Sequence, residues 1–157
     1  MSSLLFDLLE QPAFKEGTHW RKQRYAANMP VFTEGDPGRE LYLVLGGRLR
    51  VLGKIDLDTE RQIHPGFSEL TEGSVFGELV LFDEMNRSAT VITLSEVELA
   101  VIDGNNLLEY MDQHPQIGYP ILKELMTVLV GRLRKANQRI FSLFAWGLKS
   151  KGLDTLL

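Results

Sequence analysis

The order of apolar and polar residues divides the chain into three zones. Leucines recur at helical spacing within residues 2–16, which predicts a short N-terminal helix. From residue 20 to 103, runs such as LYLVL, LRVLG and ATVITL are rich in β-branched and aliphatic residues, and turn signals such as Gly46-Gly47 separate them. Residues 54–62 are polar and predict an exposed hairpin tip or loop. Many short strands at regular spacing predict an antiparallel barrel or jelly roll.

The hydrophobic period becomes helical from residue 104 to 145. Asn105 and Asn106 are suitable helix caps, and Pro115 is expected to end the first of two helices. The apolar residues of the second helix alternate in steps of four and three: Leu122, Met126, Leu129, Leu133, Ala136, Ile140 and Leu143. Such a heptad seam packs either on the chain's own barrel or against a second chain. Its length favours a parallel homodimer with two-fold symmetry.

The same long helix is basic, because it carries Lys123, Arg132, Arg134, Lys135 and Arg139. The simpler interpretation is a solvated face beside the apolar seam. The alternative is that one or two of these side chains reach an anion held by the barrel. Residues 146–157 are expected to form a short tail that Gly147 and Gly152 interrupt.

Composition narrows the class of protein. A chain of 157 residues with 44% hydrophobic residues fits one domain with a real core. The net charge of −4 argues against a nucleic-acid-binding surface over the whole domain. The chain has no cysteine, so disulfides and thiolate chemistry are excluded. It shows no signal peptide and no run of the roughly 20 apolar residues that spans a bilayer. We therefore expect a cytoplasmic protein that does not enter a membrane.

The run FGELVLFDEMNRSATV is largely apolar, yet it holds Glu78 and Arg87. Gly77 lacks a Cβ, so its backbone can approach a ligand closely. Small residues, Ser88 and Ala89, follow the arginine, and successive backbone N–H groups of this kind can cradle an anion. An arginine can grip two oxygens of one phosphate, and a carboxylate accepts hydrogen bonds from hydroxyls. A site that can bind both a phosphate and sugar hydroxyls indicates a nucleotide ligand. The alternative is a Glu78–Arg87 ion pair that only closes a loop.

The whole run resembles the phosphate-binding cassette of cyclic nucleotide-binding domains, which reads roughly FGELALL, a few turn residues, then PR[SAT]A[TS]. The matching positions are Phe76, Gly77, Glu78, Leu79, Leu81, Arg87, Ser88, Ala89 and Thr90. The resemblance covers nearly the whole chain, since residues 32–36 resemble the family's early turn and residues 41–51 its central strand, glycine turn and next strand. It implies an eight-stranded antiparallel jelly-roll barrel with a short N-terminal helix and two C-terminal helices. Met85 and Asn86 depart from the pattern, in a turn that holds no contact group.

The resemblance also implies a role for each cassette residue. Glu78 would accept the ribose 2′-hydroxyl, and Arg87 would pair with the exocyclic oxygens of the cyclic phosphate. Gly77 and Leu79, next to Phe76, would lie on a helical turn that faces the ribose phosphate. The remaining contacts would be backbone N–H groups of Ser88 and Ala89, helped by the Ser88 hydroxyl.

The base is harder to place than the phosphate. In the family the long C-terminal helix covers it, so Arg132, Ala136 and Asn137 are the candidates here. An asparagine can both donate and accept at a purine edge. The resemblance also bears on the base, since family members that prefer a guanine nucleotide tend to have threonine at the position of Ser88. Serine is compatible with either purine, and cyclic AMP is slightly favoured over cyclic GMP.

Three other classes compete with this interpretation. A metal enzyme of the cupin kind needs clustered histidines, whereas His19, His64 and His114 are far apart, so we expect no catalytic residue, metal or cofactor. A transcription regulator needs a helix-turn-helix, for which too few residues follow Ala145, so we expect a free-standing sensor or a fragment. A docking module that binds no ligand would be expected to lack either Glu78 or Arg87, whereas this chain has both. The favoured hypothesis is a non-catalytic sensor that signals through its C-terminal helices to an unidentified protein partner.

Overall fold

The computed structural model describes residues 3–56, 61–63, 66–84 and 86–152. Met85 and His64 of the sequence analysis lie outside these residues. The described chain is built mainly from short antiparallel strands. They are β1 (Trp20–Tyr25), β2 (Pro30–Phe32), β3 (Glu40–Gly46), β4 (Leu49–Leu52), β5 (Ile55–Asp56), β6 (Gln62–Ile63), β7 (Gly66–Leu70), β8 (Val75–Phe76), β9 (Thr90–Thr93) and β10 (Val97–Asp103).

Eight of these strands form two four-stranded sheets, in the orders β1-β10-β3-β8 and β2-β9-β4-β7. Every pairing is antiparallel, as the register Trp20↔Ile102 between β1 and β10 illustrates. The predicted jelly roll with eight antiparallel strands is therefore confirmed. β5 and β6 pair with each other, largely within the polar stretch 54–62 that was predicted as a hairpin tip or loop.

Strand β10 is buried on both of its faces. Its residues Leu99 to Ile102 are all buried, so both faces of the strand are covered. Leu99 and Val101 belong to the core cluster between the sheets. Because side chains alternate along a strand, Ala100 and Ile102 lie on the opposite face, and helix packing covers them. The run therefore reads as continuously apolar rather than alternating.

Three helices accompany the strands: α1 (Ser3–Leu9), α2 (Gly104–Gln113) and α3 (Pro115–Ser150). The prediction of a helix over residues 2–16 was too long, since α1 ends at Leu9 and turns follow it. Pro12, which has no backbone N–H to donate, lies just beyond that end. The cap of α2 is Asp103, not the two asparagines, because its carboxylate accepts from the Asn106 backbone N–H at 2.8 Å.

The end of α3 also corrects the sequence analysis. The helix continues to Ser150, past the expected boundary at Ala145, and Gly147 lies inside it. A glycine in a helix interior costs only about 1 kcal/mol, which the neighbouring residues offset. Gly152 follows the helix with a φ of 66°. By its internal contacts the chain divides into two units, Met1–Ile121 and Leu122–Leu157, so one domain over residues 1–157 remains a prediction.

Within the second unit, the heptad seam is largely solvent-exposed. Exposure is high at Met126, Leu133, Ile140 and Leu143. The homodimer predicted from this seam stays a prediction. None of the helices in the described ranges is long and apolar enough to cross a bilayer.

Candidate functional site

The cassette begins where β8 ends. Phe76 pairs with Tyr42 of β3, and the next residue, Gly77, has a φ of 76°. This left-handed conformation is rare for residues with a side chain. A Cβ at Gly77 would also lie 2.9 Å from Nη1 of Arg87 and 3.2 Å from the carbonyl oxygen of Glu40. Glycine is therefore required here both by conformation and by space.

A short 3₁₀ helix, Glu78–Leu81, follows the glycine turn. Its burial pattern fixes which side chains face the protein. Glu78 is only 3% exposed, and Val80 and Leu81 are also buried, whereas Leu79 is 42% exposed. The cassette thus buries the carboxylate of Glu78 directly after the turn at Gly77.

Arg87 is positioned by the turn between β2 and β3. Its backbone N–H donates to the Asp36 carbonyl at 2.8 Å, and its own carbonyl accepts from the Gly35 N–H at 2.8 Å. Next to this pair, the Thr90 hydroxyl accepts from the Glu34 N–H at 2.9 Å. These bonds resemble a short strand pairing that holds both ends of the Arg87 backbone. The early turn therefore serves as a support for the arginine.

Arg87 is a buried residue, of which only 5% is exposed. Its Nη1 donates to the Gly77 carbonyl at 3.3 Å. The guanidinium carbon lies 4.3 Å from the ring centroid of Phe32 and 5.6 Å from that of Tyr42, which are cation–π distances. The arginine is therefore held by a backbone oxygen and two aromatic rings.

The aromatic rings around Arg87 form a cluster of their own. Tyr42 and Phe76 stack with centroids 4.9 Å apart, and Phe32 lies 5.6 Å from Tyr42. The Tyr42 hydroxyl donates to the Glu40 carboxylate at 3.2 Å. Burial raises the pKa of Tyr42 well above its usual range, and the charge of Glu40 raises it further, while Arg87 opposes the shift. The ring therefore stays neutral beside the cation.

Gly38 closes the site from the side of the early turn. A Cβ at this position would lie 2.5 Å from Nη2 of Arg87, 2.7 Å from Nε and 2.8 Å from Cζ. Nε of Arg87 is buried and, within the described ranges, has no hydrogen-bond partner. A buried N–H of a charged group without an acceptor is costly. An anion bound beside Gly77 would supply the missing acceptor.

The structure places the predicted site residues in two groups. Phe76, Gly77, Glu78, Leu79 and Arg87 are in or next to the 3₁₀ turn, with Gly77 and Arg87 in direct contact. Ser88, which is exposed, and Ala89, which is half-buried, directly follow the arginine.

The candidates for the base lie elsewhere. Arg132 is half-buried and Asn137 is exposed on α3, in the second unit. Their contact with a base remains a prediction.

Sequence reasoning missed three residues of the site: Phe32, Gly38 and Tyr42. Phe32 belongs to the early turn and Tyr42 to the run LYLVL, both of which carry the family resemblance. Neither pattern indicates that their rings contact Arg87. For Gly38 the local signal was the turn sequence EGDPG at residues 34–38, which does not indicate a contact with Arg87.

Comparison with known proteins gives a consistent result. Residues 22–114, more than half of the chain, match the family model of the cyclic nucleotide-binding domain. The chain is 29% identical over 113 residues to the CRP-like cAMP-activated global transcriptional regulator of Mycobacterium tuberculosis, covering 72% of this chain and 47% of that protein. It is 29% identical over 125 residues to the cyclic AMP receptor protein of Thermus thermophilus, covering 76% of this chain and 52% of that protein.

A solved structure supports the same assignment. The cyclic nucleotide-binding domain from Methylobacillus flagellatus superposes with a TM-score of 0.69 at 26% identity, covering 79% of this chain and 67% of the other. The chain spans about half the length of the two curated relatives. On the matched family model and the shared fold, the chain belongs to the cyclic nucleotide-binding domain family.

Proposed function

We propose that the cassette binds a cyclic nucleotide, with the cyclic phosphate held by Arg87. One observation carries the proposal: the guanidinium is buried, is braced by Phe32 and Tyr42, and keeps a buried Nε without a hydrogen-bond partner in the described ranges. An arginine that only closed a loop would have no reason to keep an unsatisfied N–H beside a glycine turn. A phosphate oxygen satisfies it with a charge-assisted hydrogen bond.

The other contacts follow the roles that the resemblance implied. Glu78 accepts the ribose 2′-hydroxyl, and its burial supports a contact made away from bulk water. Backbone N–H groups of Ser88 and Ala89 complete the phosphate contacts. Gly77 and Leu79 face the ribose phosphate. Arg132 and Asn137 of α3 contact the base, with cyclic AMP preferred over cyclic GMP.

The domain acts as a regulatory sensor without catalytic activity of its own and needs no cofactor. Nucleotide binding at the cassette changes the arrangement of the C-terminal helices, because a ligand shifts a protein toward the state that it binds better. α3 forms a homodimer through the heptad seam and passes the signal to a protein partner in the cytoplasm. The names of the two curated relatives both mention cyclic AMP, which supports a cyclic nucleotide as the ligand.

Calorimetric titration with cyclic AMP and cyclic GMP tests the proposal directly. The protein must first be shown to be free of co-purified nucleotide. Arg87→Ala removes a charge-assisted contact worth about 1.5–3 kcal/mol, so affinity should fall by about 10- to 150-fold. Arg24→Ala is the matched control, since Arg24 is an exposed arginine whose ion pair is with Glu98 of β10. It should bind like the wild type.

The outcomes separate the sensor from the docking module. Binding that Arg87→Ala weakens and Arg24→Ala preserves supports a working sensor and identifies its nucleotide. Absence of heat and of a thermal shift with both nucleotides refutes binding of cyclic AMP and cyclic GMP, and favours a docking module or a different cyclic nucleotide.

Signalling through the C-terminal helices needs a separate measurement. Hydrogen exchange over residues 117–145 should change when saturating nucleotide is added. Unchanged exchange there, on protein that binds nucleotide by calorimetry, would refute the signalling step and leave the binding step intact.

A further inference from the structure

The charges of the chain are distributed very unevenly. Residues 125–152 carry six of the 17 basic residues and none of the 21 acidic ones, although the whole chain has a net charge of −4. The six are Arg132, Arg134, Lys135, Arg139, Lys149 and Lys151. This half of α3 is therefore a cationic surface on an otherwise acidic protein. Its electrostatic complement is an anionic surface.

The last turns of α3 also carry an apolar stripe that is distinct from the heptad seam. Phe141, Phe144 and Leu148 follow the spacing i, i+3, i+7, which puts them on one side of the helix. Phe141 and Phe144 are 69% and 66% exposed. Two aromatic side chains of this stripe, within one turn, thus stand in solvent.

A second copy of the chain does not account for the whole of this stripe. With Ile140 and Leu143 at the core positions of the heptad, Phe141 and Leu148 fall at the position that faces away from a two-stranded core. The next two core positions are Gly147 and Ser150, so the apolar seam stops at Leu143. Positions beside the seam carry Arg132 and Arg139 but no acidic residue that could pair with them across a dimer.

Aromatic and aliphatic side chains flanked by lysine and arginine are the composition of helices that lie at a membrane surface. We propose that residues 139–150 of α3, with Lys151 directly after them, bind an anionic lipid surface, with Phe141 and Phe144 inserted and the basic residues on the headgroups. This surface is separate from the cassette and does not rest on nucleotide binding.

Co-sedimentation of the full chain with vesicles tests the proposal. We expect binding to vesicles of phosphatidylcholine mixed with phosphatidylglycerol, weak binding to phosphatidylcholine alone, and loss of binding as salt is raised. Each basic residue near such a surface strengthens partitioning about fivefold, so Lys149→Gln with Lys151→Gln should weaken it about 25-fold.

The apolar contribution needs its own variant and control. Phe141→Ser with Phe144→Ser should abolish sedimentation with the mixed vesicles. Tyr119→Ser is the matched control, because Tyr119 is an exposed aromatic residue of α3 in the first unit. It should leave vesicle binding unchanged.

Two results would overturn the proposal. Equal binding of the wild type and the double phenylalanine variant to mixed vesicles would show that the stripe does not insert. No binding of the wild type to mixed vesicles would also refute it, and a dimer in sedimentation equilibrium that the same variant dissociates would then assign the stripe to contact between two chains.

Discussion

The substitution Gly38→Ala separates nucleotide binding from folding at the site. The new Cβ would meet three atoms of the Arg87 guanidinium at 2.5–2.8 Å, which is closer than real contacts allow. These atoms form the far end of a flexible side chain, so the guanidinium can move while the backbone stays in place. The φ of Gly38 is not positive, so alanine meets no strain from the conformation itself.

The magnitudes of the two effects differ. A displaced guanidinium would lose the proposed phosphate contact, worth about 1.5–3 kcal/mol, or about 10- to 150-fold in affinity. The free energy of unfolding changes little, because two opposing terms nearly cancel. Alanine stabilises by about 0.4–1 kcal/mol through the unfolded chain, and a weakened contact with Phe32 costs about 0.5–2 kcal/mol.

Calorimetric titration and urea denaturation of the same samples measure both effects. Gly46→Ala is the control, since a Cβ there would meet no atom within 4 Å and the φ of Gly46 is not positive. Wild-type affinity in Gly38→Ala would refute the inference that the early turn positions the guanidinium. A collapse of stability together with binding would show instead that the contact belongs to the core of the fold.

Three further predictions address the core, the tyrosine and the base. Leu99→Ala, at a fully buried position in the cluster between the sheets, should lower the free energy of unfolding by about 2–5 kcal/mol in urea, whereas Met29→Ala at an exposed position should change it by less than about 0.5. The raised pKa of Tyr42 means that the folded protein keeps a proton that the unfolded chain loses above pH 10, so stability should fall above that pH by up to about 1.4 kcal/mol per pH unit. Tyr42→Phe should flatten this fall in pH-dependent denaturation, and an unchanged slope would contradict the assignment. Asn137→Ala should reduce the ratio of cyclic AMP to cyclic GMP affinity in titrations, and an unchanged ratio would remove Asn137 from the base contacts.

The sequence predicted the jelly roll well because strands and turns leave local signals. Apolar runs of strand length alternate with glycine turns from residue 20 to 103, and the strands of the structure begin at Trp20 and end at Asp103. The charges of the cassette were also visible, since Glu78 and Arg87 stand out in an apolar run. Local pattern was sufficient for both.

The features that the sequence did not predict depend on contacts between distant residues or on small differences in free energy. Nothing near Arg87 in the sequence indicates that Phe32 and Gly38 lie against its guanidinium, because the fold alone brings them together. The end of α3 was misplaced because a single glycine, Gly147, costs a helix too little to stop it. The long seam indicated a partner but could not identify it.

The order of strands in the first sheet has a consequence for how the chain is made. β10 is the last strand along the sequence, yet it lies between β1 and β3, with Trp20 opposite Ile102. A nascent chain that ends before Asp103 therefore contains β1 and β3 but lacks a complete β10, the strand that pairs with both. Pairings this distant slow folding to milliseconds or seconds and leave strand edges open to other chains meanwhile. Synthesis through β10, rather than any earlier hairpin, is the step after which the barrel can close.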